Sequence, residues 1–514
     1  MKILSKTSMR VLNSIVVLGL LAVSFQGQSF DGQLVRQLSQ GTVKGVHQGN
    51  SIIFKGIPYA EPPIADHRWQ PPLPPAKFVG EFSAEQYGPV CPQKSQKLTQ
   101  SENCLTLNIF SPDSIDIEAQ SLPVLVWIHG GGFVFGSGNM TAQGHKNWND
   151  NEIILVSFNY RLGALGIFAP SDMTLPKGAN FSVMDMVAAL KWLKANISAF
   201  GGDPNRITIA GGSAGGMAVQ MLMVNPQSQG LFQGAISQSG YGAWPLPRTK
   251  DAAELKSSPS AEELSDQIAR RALNIEGKEI VTENLSEFLF EVSAASLVAA
   301  IDGFHIPIVD GKTLPEEPAI MFVQGRQHSV PYISGGNSYE GSVYPYSGVE
   351  PTALFSLMGK HKERIKQLYK LDEVSTSAVP YQHLFGDLRY LLAAKLTSQS
   401  MDNIGQAGYR YFYNYVSDKR AFSNGAKHAS ETYKLFQADN VPVLNQMRQY
   451  WYNFIKQQNP NGPNLPKWPN LNENNQGWLE IADKINVRPE VRADKLAILE
   501  SLFHQRRDEI KTGN

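Results

Sequence analysis

The sequence predicts an α/β fold with a mostly parallel central sheet, and three observations predict it. Continuous apolar runs of strand length recur along the chain, helical patterns separate them, and a serine ringed by glycines stands where one such run passes into a helix. The 514 residues, 42% hydrophobic and 18% charged, are enough for a large buried core.

At the N-terminus, Lys2, Lys6 and Arg10 precede an apolar run from Val11 to Val23, followed by the small and polar "SFQGQS". The run is too short to span a bilayer comfortably and has the form of a secretory signal peptide. Cleavage is expected near Ser24, leaving residues 25–514 as one domain, secreted or periplasmic and not inserted in a membrane. An uncleaved anchor is the alternative. Loss of three positive charges takes a chain with 46 basic and 46 acidic residues to a net charge of −3. Such a balance gives no electrostatic reason to hold nucleic acid or an anionic membrane, so a small neutral partner fits better.

Next come "WQPPLPPAKF", Trp69 to Phe78, an extended connection because proline removes donors and fixes φ, and the two cysteines, Cys91 and Cys104. The thiols either close a small loop or stay free and buried; a metal site needs more ligands than this pair offers. Strands are expected at Val124–Ile128, Ile153–Phe158, Ile207–Ala210 and Ala235–Ser237, then within "VPYISGGN" and "YRYFYNYV". A helix is expected over Asn180–Phe200, where Met184, Val187, Ala188, Leu190 and Trp192 fall near helical spacing. From Pro247 to about Ile301 the chain turns polar and helical, which reads as an insertion over the sheet that walls a pocket.

The glycine-ringed serine is Ser213 in "TIAGGSAGGMAV". Between a strand ending near Ala210 and a helix starting at Ala214, it occupies a sharp turn that exposes its Oγ above the sheet. Gly211 and Gly215 remove side chains that would collide where strand and helix cross. The phosphate-binding alternatives lack their signatures: no G-K-[ST] follows, and no G-x-G-x-x-G with a distant acid is found. A second glycine cluster, "HGGGF" from His129 to Phe133, follows the strand at Val124–Ile128. Backbone N–H groups approach an oxyanion closely only where side chains are absent, so Gly131 and Gly132, with Ala214, are candidate donors. A serine nucleophile needs a base and the base an orienting acid, in the chain order Ser, Asp or Glu, His. Glu340 in a glycine-flanked loop after a strand and His428 in "FSNGAKHASE" suit those roles, although the sequence offers five other histidines after Ser213.

At this point the chain resembles the type-B carboxylesterases, which include the cholinesterases. "FKGIPYAEPPIADHRWQPP", "SENCLTLNIF", "HGGGFVFGSG", "VSFNYRLGALGIF", "ISAFGGDPNRITIAGGSAGG", "GGNSYEGS" and "GAKHASE" are similar to that family's blocks, in its order. The resemblance implies an α/β-hydrolase fold and a cofactor-free ester hydrolase acting on small molecules. Ser213 would be its nucleophile, Glu340 its acid and His428 its base, with Gly131, Gly132 and Ala214 as oxyanion donors. It implies a Cys91–Cys104 disulfide, and it makes Trp244 and Phe133 candidate pocket residues. One departure matters: the family usually carries glutamate just before the serine, and here Gly212 stands there, which counts against cationic choline esters. A lipase or polyester hydrolase of the same fold is the alternative enzyme, and a non-catalytic binding domain the alternative from another class.

Overall fold

Every apolar run read as a strand is one, and the strands share a single sheet. The computed structural model describes residues 34–512 except 96, 117–120, 140–143, 251–258, 279–284, 372–377, 438 and 473–474; the expected signal peptide lies outside the described residues. The strands are β1 (Val35–Leu38), β2 (Gly41–Lys44), β3 (Val46–Gln48), β4 (Ser51–Pro58), β5 (Glu81–Ser83), β6 (Thr106–Pro112) and β7 (Leu122–Ile128). They continue as β8 (Ile154–Phe158), β9 (Gly202–Gly212), β10 (Gly234–Gln238), β11 (Tyr332–Asn337), β12 (Gly408–Tyr413), β13 (Trp478–Ile481) and β14 (Ile485–Arg488).

The large sheet has the order β14-β13-β12-β11-β10-β9-β7-β8-β6-β4-β3. Its centre, from β8 through β7, β9, β10, β11 and β12 to β13, is parallel, and antiparallel strands close both edges. Alternation explains the unbroken apolar runs. Along β7, Val124, Val126 and Ile128 enter one core cluster while Leu125 and Trp127 enter the other, so both faces are covered. The helix at Phe181–Asn196 packs Val183, Met186, Leu190 and Leu193 into the first cluster. The helix at Pro442–Gln457 packs Leu444, Met447 and Trp451 into the second.

β9 is longer than its apolar run. It starts at Gly202, pairs there with Leu122 of β7, and carries glycines 211 and 212 to the sheet's carboxyl edge. Strand geometry is held by the backbone, so Asp203, Pro204, Asn205 and Arg206 extend the strand without an apolar run.

The insertion after Pro247 contains a helix at Ala261–Ile275, started by a capping box between Ser260 and Glu263. Its Ile268, Ala269, Ala272 and Leu273 pack on Trp69, Phe168 and Phe181, as a flap over the parent core. Trp69 anchors the proline-rich connection there by donating from Nε1 to Ala164 O at 2.7 Å. Cys91 and Cys104 form a disulfide. Among the described residues no helix is long and apolar enough to cross a membrane.

Candidate active site

Ser213 lies at the carboxyl edge of the parallel sheet, between β9 and the helix Ala214–Leu222, with φ 59° and ψ −119°. A non-glycine residue rarely adopts such a backbone, and it persists only where surroundings over-determine it. They do here. Ser213 N donates to Gln238 O of β10 at 2.8 Å, and Met217 N donates to Ser213 O at 2.9 Å. A Cβ on Gly215 would lie 2.1 Å from Ile128 O, and one on Gly211 would lie 2.5 Å from the Gly215 carbonyl carbon. The G-x-S-x-G spacing is therefore a packing requirement at the crossing of β9, β7 and the helix.

The loop after β7 faces this turn. A Cβ on Gly130 would lie 2.5 Å from Gly212 O and 3.3 Å from Ser213 Cβ. Gly131 and Gly132 have φ +115° and +60°, conformations open to glycine. Their carbonyls are tied down: Gly131 O accepts from Val134 N and Phe135 N, and Gly132 O from His305 N at 2.9 Å. Among the described residues the N–H groups of Gly131, Gly132 and Ala214 have no acceptor. His129 props the loop, its ring stacked on Tyr160 at 4.2 Å and Nδ1 bonded to Gly130 O at 2.9 Å. Burial pushes the His129 imidazole down to about 4, so it is neutral at working pH.

Glu340 and His428 meet. Glu340 Oε1 accepts from Ser239 Oγ at 2.6 Å and from Asn337 N at 2.7 Å, and Oε2 is bonded to His428 Nδ1. The two loops are laced together by Tyr339 N to Ala426 O at 2.8 Å and His428 N to Ser342 Oγ at 3.0 Å. The other ring nitrogen, His428 Nε2, is buried and without a hydrogen-bond partner, so no bond to Ser213 Oγ is formed in this state. The two residues nevertheless share one edge. β9, β10 and β11 are neighbours, Glu340 follows β11, and Thr432, one turn past His428, is 2.9 Å from where a Gly212 Cβ would stand.

That contact bears on the departure at Gly212. Thr432 Oγ1 accepts from Gln238 Nε2 at 3.2 Å and donates to Glu431 Oε1 at 3.4 Å, so a threonine network fills the space where a side chain would stand. Glu431 is buried, receives Asn337 Nδ2 at 2.5 Å and Gln238 Nε2 at 3.2 Å, and lies beside Glu340. Burial, then the Glu340 charge, raises its carboxyl above the ordinary range.

Of the two aromatic candidates, Trp244 is buried with its ring 5.6 Å from Phe385 and joins a cluster that reaches His428 through Tyr390, whose ring is 4.7 Å from the imidazole. Phe133 is different. Its ring is fully buried against Tyr160 in the core and its carbonyl accepts from Gly163 N, so it is packing and not pocket wall. Phe304 covers the loop instead: a Cβ on Gly132 would lie 2.4 Å from its ring. Sequence reasoning missed Phe304, Ser239, Gln238 and Tyr390, which carry no local motif of their own, and passed over Glu431, which closes the quoted "GAKHASE".

Comparisons with known proteins give the family and the fold. A family model described as "Carboxylesterase family" matches residues 32–499. The chain is 32% identical to the para-nitrobenzyl esterase of Bacillus subtilis (strain 168), over 88% of this chain and 96% of that protein. It is 28% identical to mouse (Mus musculus) carboxylesterase 1C, over 88% of each. Among solved structures, a PNB esterase at 30% identity superposes with a TM-score of 0.77, covering 91% of this chain and all (100%) of that one. A thermophilic PNB esterase at 29% identity gives 0.78 with the same coverage.

Proposed function

The chain belongs to the carboxylesterase family and is a serine hydrolase of carboxylic esters, and we propose that Ser213 is its nucleophile, His428 its base and Glu340 its orienting acid. The observation that carries the assignment is the meeting of three distant segments on one sheet edge. There a serine at φ 59° faces three free N–H groups, and a buried imidazole held by a buried carboxylate presents an unpartnered nitrogen.

In this reading a bound ester closes the gap between Ser213 Oγ and His428 Nε2, a distance that commonly tightens only with substrate in place. Nε2 takes the hydroxyl proton as Oγ attacks the carbonyl carbon. Glu340 Oε2 fixes the tautomer that carries the proton on Nδ1 and stabilises the imidazolium. Oε1 is already satisfied by Ser239 and Asn337, which leaves Oε2 for the histidine. The N–H groups of Gly131, Gly132 and Ala214 receive the oxyanion. Nε2 then protonates the leaving alcohol, and water repeats the sequence on the acyl-enzyme. No cofactor enters these steps.

The signal-like N-terminus and the Cys91–Cys104 disulfide together support export to an oxidising compartment, secreted or periplasmic. With residues 1–24 removed, the remaining chain is one catalytic domain. Its substrates are neutral or anionic esters of small to medium size, since no carboxylate stands before Ser213 to favour a cation.

The test is Ser213→Ala with p-nitrophenyl butyrate as substrate and a fluorophosphonate as covalent label. Turnover and labelling should both vanish while the fold persists by circular dichroism. Turnover that survives in the folded variant overturns the assignment.

A further inference from the structure

Arg389 is 2% exposed, yet among the described residues no carboxylate lies within ion-pair distance of its guanidinium. Several other buried arginines are ion-paired: Arg68 with Glu102, Arg161 with Asp185, Arg248 with Glu316 and Arg448 with Asp439. Among the described residues Arg410 is buried without a paired carboxylate too, over the Trp478 ring, but it lies away from Ser213 and His428 and gives Nη2 to Gln476 O. The acid nearest in sequence, Asp387, is taken by Arg492 and by Tyr369 OH. Arg389 is instead enclosed by rings, its guanidinium carbon 4.2 Å from the centroid of Tyr241, 4.8 Å from Trp244, 5.6 Å from Phe385 and 5.8 Å from Tyr390. It sits in a π-helical turn at Asp387–Leu391, a rare local geometry often found at functional sites.

Ring faces attract a cation but accept no conventional hydrogen bond from its N–H groups. Arg389 Nε and Nη2 are accordingly buried without partners, and so are Tyr241 OH, Tyr344 OH and His428 Nε2. These orphans are contiguous. Tyr344 packs on Phe385 at 5.1 Å, Tyr241 on Tyr390 at 5.9 Å, and Tyr390 on His428 at 4.7 Å. Buried polar groups are nearly always paired, and four of these five atoms are hydroxyl or guanidinium donors. Burial holds the Tyr241 hydroxyl up to about 12 against the pull of the neighbouring Arg389 guanidinium, which also reaches the Tyr390 hydroxyl, so Tyr241 stays protonated. Of the nearby acids, Glu340 is engaged by three partners, although its charge reaches Tyr390, burial pushes Glu431 toward its neutral form, and residue 212 has no side chain.

We infer that this cage is a recognition subsite for an anionic acceptor and that the enzyme favours esters carrying a carboxylate away from the scissile bond. The inference rests on the catalytic reading of Ser213. Arg389 and the Tyr241 and Tyr344 hydroxyls would bind the carboxylate, and the aromatic walls would bind the carbon chain between it and the ester. The Tyr390 ring borders both the Arg389 guanidinium, at 5.8 Å, and the His428 imidazole, at 4.7 Å, which sets the cage beside the proposed base.

The experiment compares kcat/KM for p-nitrophenyl butyrate, mono-p-nitrophenyl glutarate and 4-carboxyphenyl butyrate, in wild type, Arg389→Met and Arg389→Lys. Rates are divided by the hydroxide-catalysed rate of each ester and by the fraction of Ser213 that a fluorophosphonate labels. Wild type should prefer at least one carboxylate ester, and R389M should lower kcat/KM for it by roughly 10- to 100-fold more than for butyrate. R389K, which keeps the charge and loses the fork, should fall between. An equal fall on all three esters makes Arg389 a structural prop and overturns the inference. If R389M does not fold, wild type and R389K still decide, and a wild type with no preference for either carboxylate ester overturns it unaided. Failure of wild-type Ser213 to label would instead overturn the catalytic reading beneath it.

Discussion

Gly132→Ala tests one of the proposed oxyanion donors. At φ +60° an alanine costs about 1–2 kcal/mol of backbone strain, and its Cβ would stand 2.4 Å from the Phe304 ring, a distance no real contact sustains. Either Phe304 moves or the loop turns, and turning the loop swings the Gly132 N–H away from the carbonyl oxygen. Misplacing one such donor costs about 3–4 kcal/mol in the transition state, so kcat with p-nitrophenyl butyrate should fall about 10²- to 10³-fold with KM little changed. The double variant Gly132→Ala/Phe304→Ala separates the causes. Removing the ring relieves the clash and leaves only the strain, so kcat should recover by at least tenfold while the melting temperature stays below wild type. A Gly132→Ala enzyme that keeps a third or more of its kcat refutes the argument that the clash turns the loop, because the N–H is then still in place. A double variant no faster than the single one refutes the steric argument.

Three further outcomes are expected. Replacing Cys91 and Cys104 together by serine should lower stability by about 3 kcal/mol in urea titrations, since the bridge closes a loop of 13 residues; reductant should then affect wild type but not the variant. His129 is held down to about 4 while the unfolded chain takes its proton near 6.5, so folding loses up to about 3 kcal/mol as pH falls through that window. His129→Gln should remove most of this acid sensitivity, and an unchanged slope of stability against pH would contradict it. Glu431 has the opposite sign: its raised folded-state value means stability is present below the ordinary 4.5 and is lost as pH rises, so Glu431→Gln should gain thermal stability over wild type at pH 8 more than at pH 4.

The parts of the fold that the sequence makes legible are those where side chains report on both neighbours at once. The central strands are buried on two faces, so Val124–Ile128 and Ile154–Phe158 read as unbroken apolar runs, and the turns at Gly131–Gly132 and Ser213 read as glycines that sterics demand. The antiparallel edge was silent because β3, β4 and β6 carry no comparable punctuation, and the pairing of β9 with Leu122 depends on backbone alone. Glu340 and His428 could be nominated from their loops, but only the register of β10, β11 and β12 and the lacing of residues 338–342 to 426–428 bring them together. Phe133 failed for a related reason. Its place beside Gly131 and Gly132 suggests a pocket wall, while its ring is fully buried beside Tyr160.

Gly212 shows how one absent side chain redistributes a site. A glycine in place of a glutamate can widen a pocket or relax a backbone. The φ of Gly212 is not in the left-handed region, and a Cβ there would press on Thr432 Oγ1 at 2.9 Å, so neither description fits. The room is filled from the far side by Thr432, whose hydroxyl bridges Gln238 and Glu431. Gln238 spans both halves of the site, because its backbone carbonyl holds Ser213 N while its side chain holds the turn after His428. A carboxylate at residue 212 would face Glu431 across this network, and two acids so close cannot both ionise cheaply. Without it, Gln238 and Thr432 tie the turn at Ser213 to the turn after His428 by neutral hydrogen bonds, which is how the proposed nucleophile is held in register with the proposed base.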